Sequence, residues 1–375
     1  MIRLRWPLAA CALVGTFFCA TLLLKKPARA DERTLYVGGY TRNDGDGLCA
    51  LRFDPATGTL SDLRLAAPVS NPDWLTLAPD GKTLYSGGAS QGKSGLTAFA
   101  IQSDGSLRAI SQQVSDNNPV SLAVDATGKW LIGAYYNAGN WGIWPLEADG
   151  KIGPRKELIQ HKGSGPDKNR QQGPHAHQVM ISPNNRRIWV VDLGLDKAMI
   201  YDFDARTGAV KPSVPAFAAV APGSGPRHLA FARKGQFVYV INEMGSTVSV
   251  FQGGRGRPGA IQTIATLPAS FEGKSTGAEV LVSPDGKYVF ASNRGYDSIA
   301  RFAIGHDGRL KRLGWTKVGK EPRHFTFDPT GKWVLVGNQK ERSISVFAFD
   351  PKTGDLTFSS KLEGVMNEPT SLVFG

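Results

Sequence analysis

Four of the chain's six histidines stand beside arginine or a second histidine in short phrases of one kind. GPHAHQV (173–179), GPRHLAF (225–231) and EPRHFTF (321–327) place His175, His177, Arg227, His228, Arg323 and His324 within a few residues of a proline. Imidazole takes up and releases a proton near neutral pH, and guanidinium grips a carboxylate, a phosphate or a developing oxyanion with two N–H groups. Further polar residues close the apolar phrases downstream: Asp192, Asn242 with Glu243, Asn293 with Arg294, and Asn338 with Gln339. Asparagine in such places ordinarily serves a turn, so Glu243 and Arg294 are the stronger candidates for chemistry. The two imidazoles of HAH could bind a metal, but they lack a nearby carboxylate, and no metal or other cofactor is expected.

These phrases recur because the chain is a repeat. A turn followed by an apolar strand appears six times: APDGKTLYSGG (78–88), VDATGKWLIGAYY (124–136), ISPNNRRIWVVD (181–192), FARKGQFVYVIN (231–242), VSPDGKYVFASN (282–293) and FDPTGKWVLVGN (327–338). Each follows a short strand opened by Pro72, Pro119, Pro174, Pro226, Gly277 or Pro322, at spacings of 47, 55, 52, 51 and 45 residues. Asp-Gly or Thr-Gly pairs punctuate the units again, as in FDPATGTL (53–60) and FDPKTGDL (349–356), and supply the positive φ of hairpin turns.

No helical periodicity of useful length follows residue 31, and four short strands per unit predict an all-β propeller. LYVGGYT (35–41) matches a second strand without a first, and EPTSLVFG (368–375) a first strand without a second. The two ends together complete a seventh four-stranded blade, so the expected domain is one seven-bladed ring over residues 31–375. Aligned on their prolines, His175, Arg227 and Arg323 share a column with Asp73 and Val120, and His228 and His324 share the next with Glu279. First strands start near one mouth of the central channel, which would bring these columns together.

Residues 1–30 read as a cleavable signal peptide: Arg3 and Arg5, the apolar run WPLAACALVGTFFCATLLL, then Ala28-Arg29-Ala30 before Asp31. An uncleaved membrane anchor is the alternative. Cleavage predicts a periplasmic or secreted protein with no membrane association, and leaves Cys49 as the lone cysteine, without an internal disulfide. Removing the five basic residues of this segment from the net charge of +12 leaves +7. The remaining basic residues are scattered without aromatic interleaving, so no nucleic-acid partner is expected.

GPHAHQVMISPNNRRIWVVDLGLDK, VINEMGSTVSVF, AEVLVSPDGKYVFASNRGYDSIARF and EPRHFTFDPTGKWVLVGNQ resemble, over nearly the whole mature chain, the seven-bladed lactonase family of propeller-type 6-phosphogluconolactonases and carboxy-muconate cyclases. The resemblance implies hydrolysis of a small anionic lactone, with His175 or His177, Arg227, Glu243 and Arg294 as the catalytic group. His228, Asn293, Arg323, His324 and Gln339 would then contact substrate. Lactone hydrolysis needs a base for water, positive charge for the oxyanion and an acid for the departing alkoxide. A histidine or Glu243 could be the base, and Arg227 and Arg294 could hold the oxyanion or a substrate anion. Export argues for a sugar acid lactone with or without a phosphate. The alternatives are a carboxymuconate cycloisomerase and a non-catalytic propeller that binds ligands or proteins at its mouth.

Overall fold

A computed structural model describes residues 32–41, 47–90, 92–115, 117–253, 259–365 and 368–375; the expected signal peptide lies outside them. The described residues form seven antiparallel sheets of four strands each, with a single 3-10 turn at Arg233–Gly235. From blade 1 to blade 7 the inner strands are Glu368–Phe374, Leu75–Leu77, Ser121–Val124, Ala176–Ile181, Pro226–Ala232, Thr276–Val282 and Pro322–Phe327. Each inner strand touches those of both neighbouring blades, so the ring is closed.

Blade 1 is built from both ends of the chain. Glu368–Phe374 pairs antiparallel with Arg33–Tyr40, which continues to Leu48–Asp54 and Thr59–Ala67. This pairing removes two open sheet edges that would otherwise invite association.

Hydrophobic pattern follows position within a blade. Second strands such as Phe237–Asn242 are buried throughout, because neighbouring blades cover both faces; this is why they read as continuous apolar runs rather than alternations. Outer strands such as Thr59–Ala67 are mostly solvent-facing. The described core consists of seven clusters, one in each interface between adjacent blades. Each blade is thus stabilised by two neighbours and has little core of its own.

The predicted hairpin glycines serve these interfaces as well as the turns. Gly208 has φ +68°, and a Cβ there would lie 2.3 Å from the Trp130 ring of the preceding blade. The Trp130 indole lies flat on this glycine and donates to the Ala205 carbonyl at 2.8 Å. Trp333 repeats the contact across the closing interface, donating to the Pro55 carbonyl at 2.9 Å over Gly58.

Deleting Glu368–Gly375 should therefore destroy the ring rather than trim it, because Arg33–Tyr40 loses its partner and two interface clusters open. Circular dichroism melting and size-exclusion chromatography check this. The expected outcome is aggregation or loss of the cooperative transition, and a truncated chain that melts like the full one would contradict closure.

Candidate active site

The inner strands carry one local irregularity that aims the polar residues at the channel mouth. In blade 5, Pro226 pairs with Asn242 and His228 with Ile241, leaving Arg227 as the extra residue of a β-bulge. Blade 7 repeats this with Arg323, between Pro322–Asn338 and His324–Gly337, and blade 4 with His177, between Ala176–Asp192 and Gln178–Val191. A bulge leaves one residue outside the ladder and re-aims its side chain. The register therefore makes His177, not His175, the equivalent of Arg227 and Arg323. Alignment on proline is two residues out in blade 4, because Pro174 lies in the approach to the strand rather than at its start.

The residue after each bulge forms a lower tier that joins blades. Val179 N–H donates to Ser121 Oγ (3.2 Å), Leu229 N–H to Gln178 Oε1 (2.6 Å), Leu372 N–H to His324 Nδ1 (3.3 Å) and Leu75 N–H to Ser371 Oγ (3.1 Å). His228 and Glu279 occupy the same tier, 2.9 Å apart, and Trp74 stands edge-on to both His228 and His324. His228 and His324 are thus packed between blades beneath the mouth.

Above them a cleft of about 580 Å³ opens at the channel mouth, lined by Tyr40, Asp73, Val120, Tyr136, Arg170, His177, Glu243, Arg294 and Arg323 together with several asparagines. Glu243, 6% exposed, is the hub. Arg170 donates to its Oε1 at 2.6 Å, and Arg294 and Arg227 approach its Oε2 at 3.0 and 3.2 Å. Arg227 lies just beneath the cleft and donates to the Ala278 carbonyl at 2.8 Å. On the opposite wall Arg323 donates to the Tyr40 hydroxyl at 3.0 Å, which in turn donates to Asp73 at 3.5 Å.

The structure therefore brings His177, Arg227, Glu243, Arg294 and Arg323 together. It places His175 behind Tyr136, with the rings stacked 4.5 Å apart and Nδ1 donating to the Tyr136 carbonyl at 3.0 Å. Asn293 is tied to Thr266 and Ser298 between strands. Gln339 donates to Glu368. Neither lines the cleft. Among the described residues no group of three or more His, Cys, Asp or Glu side chains is placed to hold a metal ion. A groove of about 950 Å³ between blades 4 and 5 opens at the far rim, among turn residues such as Asn185, Arg206 and Lys234, and contains no histidine.

Sequence reasoning missed Arg170 and the two tyrosines. Arg170 sits on the loop between Gln160 and Ala176, held by the Asp167 carboxylate, which accepts from the Asn169 and Arg170 N–H groups at 2.8 and 3.0 Å, and by Gln171, which donates to the Leu193 carbonyl at 2.8 Å. The one signal for it was spacing: the 55 residues from Pro119 to Pro174 are the longest step of the repeat.

Burial and charge set the protonation states. Burial acts to raise Glu243, but Arg294 and Arg227 prevail and hold it well below the usual carboxylate range. It is a permanent anion and a weak base. Burial, then Arg227, keeps His177 neutral well below its usual value. Burial raises Asp73, with Arg323 opposing. In the lower tier burial drops His324 to about 3 and lifts Glu279 to about 8, while His228 is also lowered, so the Glu279–His228 pair keeps one proton across neutral pH.

These values fix a stability optimum. Below the unfolded histidine value of about 6.5, the unfolded chain gains three protons from His177, His228 and His324, whereas the folded chain holds the one on the Glu279–His228 pair and whatever burial retains on Asp73. Stability then falls with falling pH by about 1.4 kcal/mol per unit for each proton the unfolded chain holds in excess. Between about 6.5 and 8 the folded pair retains a proton that the unfolded chain has lost, so stability falls as pH rises. Chemical denaturation at pH 5 to 8 should show a maximum near 6.5; a steady climb across that range would contradict these assignments.

Residues 34–374 match the family described as lactonase, 7-bladed beta-propeller. A 6-phosphogluconolactonase of Bacillus subtilis is 31% identical over 328 residues, covering 86% of this chain and 93% of the relative. A 6-phosphogluconolactonase of Formosa agariphila is 34% identical over 339 residues, covering 86% and 94%. Among solved structures, a putative 6-phosphogluconolactonase of Bacteroides fragilis superposes with a TM-score of 0.84 at 34% identity, covering 93% of this chain and 100% of that one. A periplasmic gluconolactonase of Pseudomonas aeruginosa gives 0.84 at 32% identity, covering 92% and 99%. With its seven closed blades and a match over almost its whole described length, the chain belongs to the lactonase family of seven-bladed β-propellers.

Proposed function

We propose that this protein hydrolyses the ring ester of an anionic sugar acid lactone, with or without a phosphate, outside the cytoplasm. The observation that carries this reading is the composition of the cleft. Three arginines, Arg170, Arg294 and Arg323, line the cleft with a neutral histidine, His177, and two of them, Arg170 and Arg294, are held by one firmly ionised carboxylate, Glu243. Such a cleft carries surplus positive charge for an anionic ligand and a base already free to accept a proton. The names of the relatives support the reaction class.

In this reading His177 removes a proton from the attacking water. Its ring borders the cleft in which an attacking water would stand. Arg227 opposes a charged imidazole in the resting site. A tetrahedral oxyanion drawn toward the arginines offsets that repulsion, so His177 becomes a better base as the transition state forms, which is when an enzyme gains from it. Glu243 holds Arg170, Arg227 and Arg294 in place rather than taking the proton itself, and Arg227 acts from beneath through Glu243.

The test is a pH-indicator assay of sugar lactones with wild type and two variants. Arg294→Lys keeps a charge but loses the planar fork, and turnover should fall on the order of 10²–10³-fold. Glu243→Gln should lower both turnover and the melting temperature, because it leaves three guanidiniums without their counter-ion; breaking a buried ion pair typically costs about 3–5 kcal/mol. Lost turnover with unchanged melting would instead return Glu243 to the role of base. Absence of lactone turnover by the wild type would sink the hydrolase reading.

Export rests on the charged and apolar start of the chain with Ala28-Arg29-Ala30, and the periplasmic gluconolactonase relative supports it. Intact-mass analysis of fractionated cells should find a periplasmic chain beginning at Asp31. A full-length chain in the cytosol would contradict it.

A further inference from the structure

The attacking half of the reaction has a base in His177, but the departing ring oxygen leaves as an alkoxide and needs a proton. The cleft holds two carboxyl groups in opposite settings. Glu243 touches three guanidiniums at 2.6, 3.0 and 3.2 Å and cannot carry a proton near neutral pH. Asp73, 7% exposed, forms no ion pair among the described residues; Arg323 reaches it only through the Tyr40 hydroxyl. It stands two residues before the inner strand of blade 2, as His177 stands near the start of that of blade 4, so the two flank Val120 of blade 3 around the same mouth.

We propose that Asp73 is the general acid that protonates the leaving ring oxygen, an assignment that rests on the lactonase reading above. Burial, which raises its proton affinity, agrees with that role. The groups facing it are Tyr40 and Thr370 of blade 1, Arg323 of blade 7 and, more distantly, Arg227 of blade 5. Two arginines that repel a proton thus oppose the desolvation that retains it.

The step balances as follows. Water oxygen bonds to the ring carbonyl carbon while His177 takes one water proton. The tetrahedral oxyanion collapses, the bond from the carbonyl carbon to the ring oxygen breaks, and its electron pair passes to the ring oxygen, which takes the Asp73 proton. The products are an open-chain hydroxy acid, the Asp73 carboxylate and the His177 imidazolium. Proton transfer from imidazolium to Asp73 through solvent restores the site. No oxidant or further reactant is required.

The test compares the best-hydrolysed sugar lactone with its thiolactone analogue, in which sulfur replaces the ring oxygen. A thiolate leaves without help from an acid, so only the oxygen lactone depends on Asp73. Asp73→Asn should lower kcat/KM on the lactone on the order of 10²–10⁴-fold, change thiolactone turnover less than about tenfold on the same scale, and abolish the alkaline limb of the lactone pH profile. Retained thiolactone turnover shows that the variant is folded. Should Asp73→Asn not fold, the wild type alone decides: an alkaline limb with the lactone and none with the thiolactone supports the assignment, and the same limb with both overturns it. Equal losses on the two substrates, no loss on either, or a wild type that cleaves the lactone but not the thiolactone would each overturn the role of Asp73 while leaving the lactonase reading intact. A wild type inert toward every lactone would overturn both.

Discussion

The pairing of Glu368–Phe374 with Arg33–Tyr40 is the contact on which the rest of the molecule depends. Among the described residues the buried apolar clusters lie in the seven interfaces between blades, so every sheet needs two neighbours to bury both faces. An open ring would leave two such faces in water, and apolar area exposed at about 25 cal/mol per Å² accumulates quickly over a whole sheet face. Closure also sets the channel, because only a complete ring brings inner strands distant in sequence to one mouth. Tyr40 and Arg323, 283 residues apart, meet across that closure.

The ring alone would yield a smooth channel of backbone. The bulges in the inner strands sort the side chains there into two tiers with different work. Residues after the bulge are spent on joining blades, as Gln178 and His324 do by accepting backbone N–H groups of the next blade. Residues in the bulge stand outside the ladder and face the mouth, and here they are His177, Arg227 and Arg323. This division explains why adjacent histidines and arginines in one phrase need not share a function. The same strand end that exposes Arg227 to Glu243 buries His228 against Glu279.

Much of this was legible before any coordinates. Turn glycines at a regular spacing marked the blades, and an orphan second strand at one end with an orphan first strand at the other marked the closure. The asparagines at second-strand ends serve as their residue type suggests: Asn242 and Asn338 each donate to two hydroxyls of the next strand. What pattern could not carry was register. A bulge shifts one strand by one residue, and in blade 4 the Gly173-Pro174 approach shifts the apparent strand start by two. His175 and His177 therefore exchanged places in the alignment, although the two are chemically identical. Arg170 was hidden for a different reason, since a loop outside the repeat has no copies to be compared with.

Arg227 couples the two tiers. Its Nη1 donates to the Ala278 carbonyl below and lies against His228, while its Nε faces Glu243 above. Burial, then Arg323 and Arg294, push its proton affinity below that of a free guanidinium, so its charge is kept at a cost that Glu243 and Glu279 offset. Burial first, and then that charge, suppress protonation of His177, His228 and His324 alike. A histidine-rich channel is thereby kept neutral. An anion arriving among Arg170, Arg294 and Arg323 changes that balance from above, at the point where His177 faces the cleft. In the proposed hydrolysis this arrangement would favour His177 as an acceptor only when negative charge is present or forming beside it, which suits a site that must wait for its substrate before activating water.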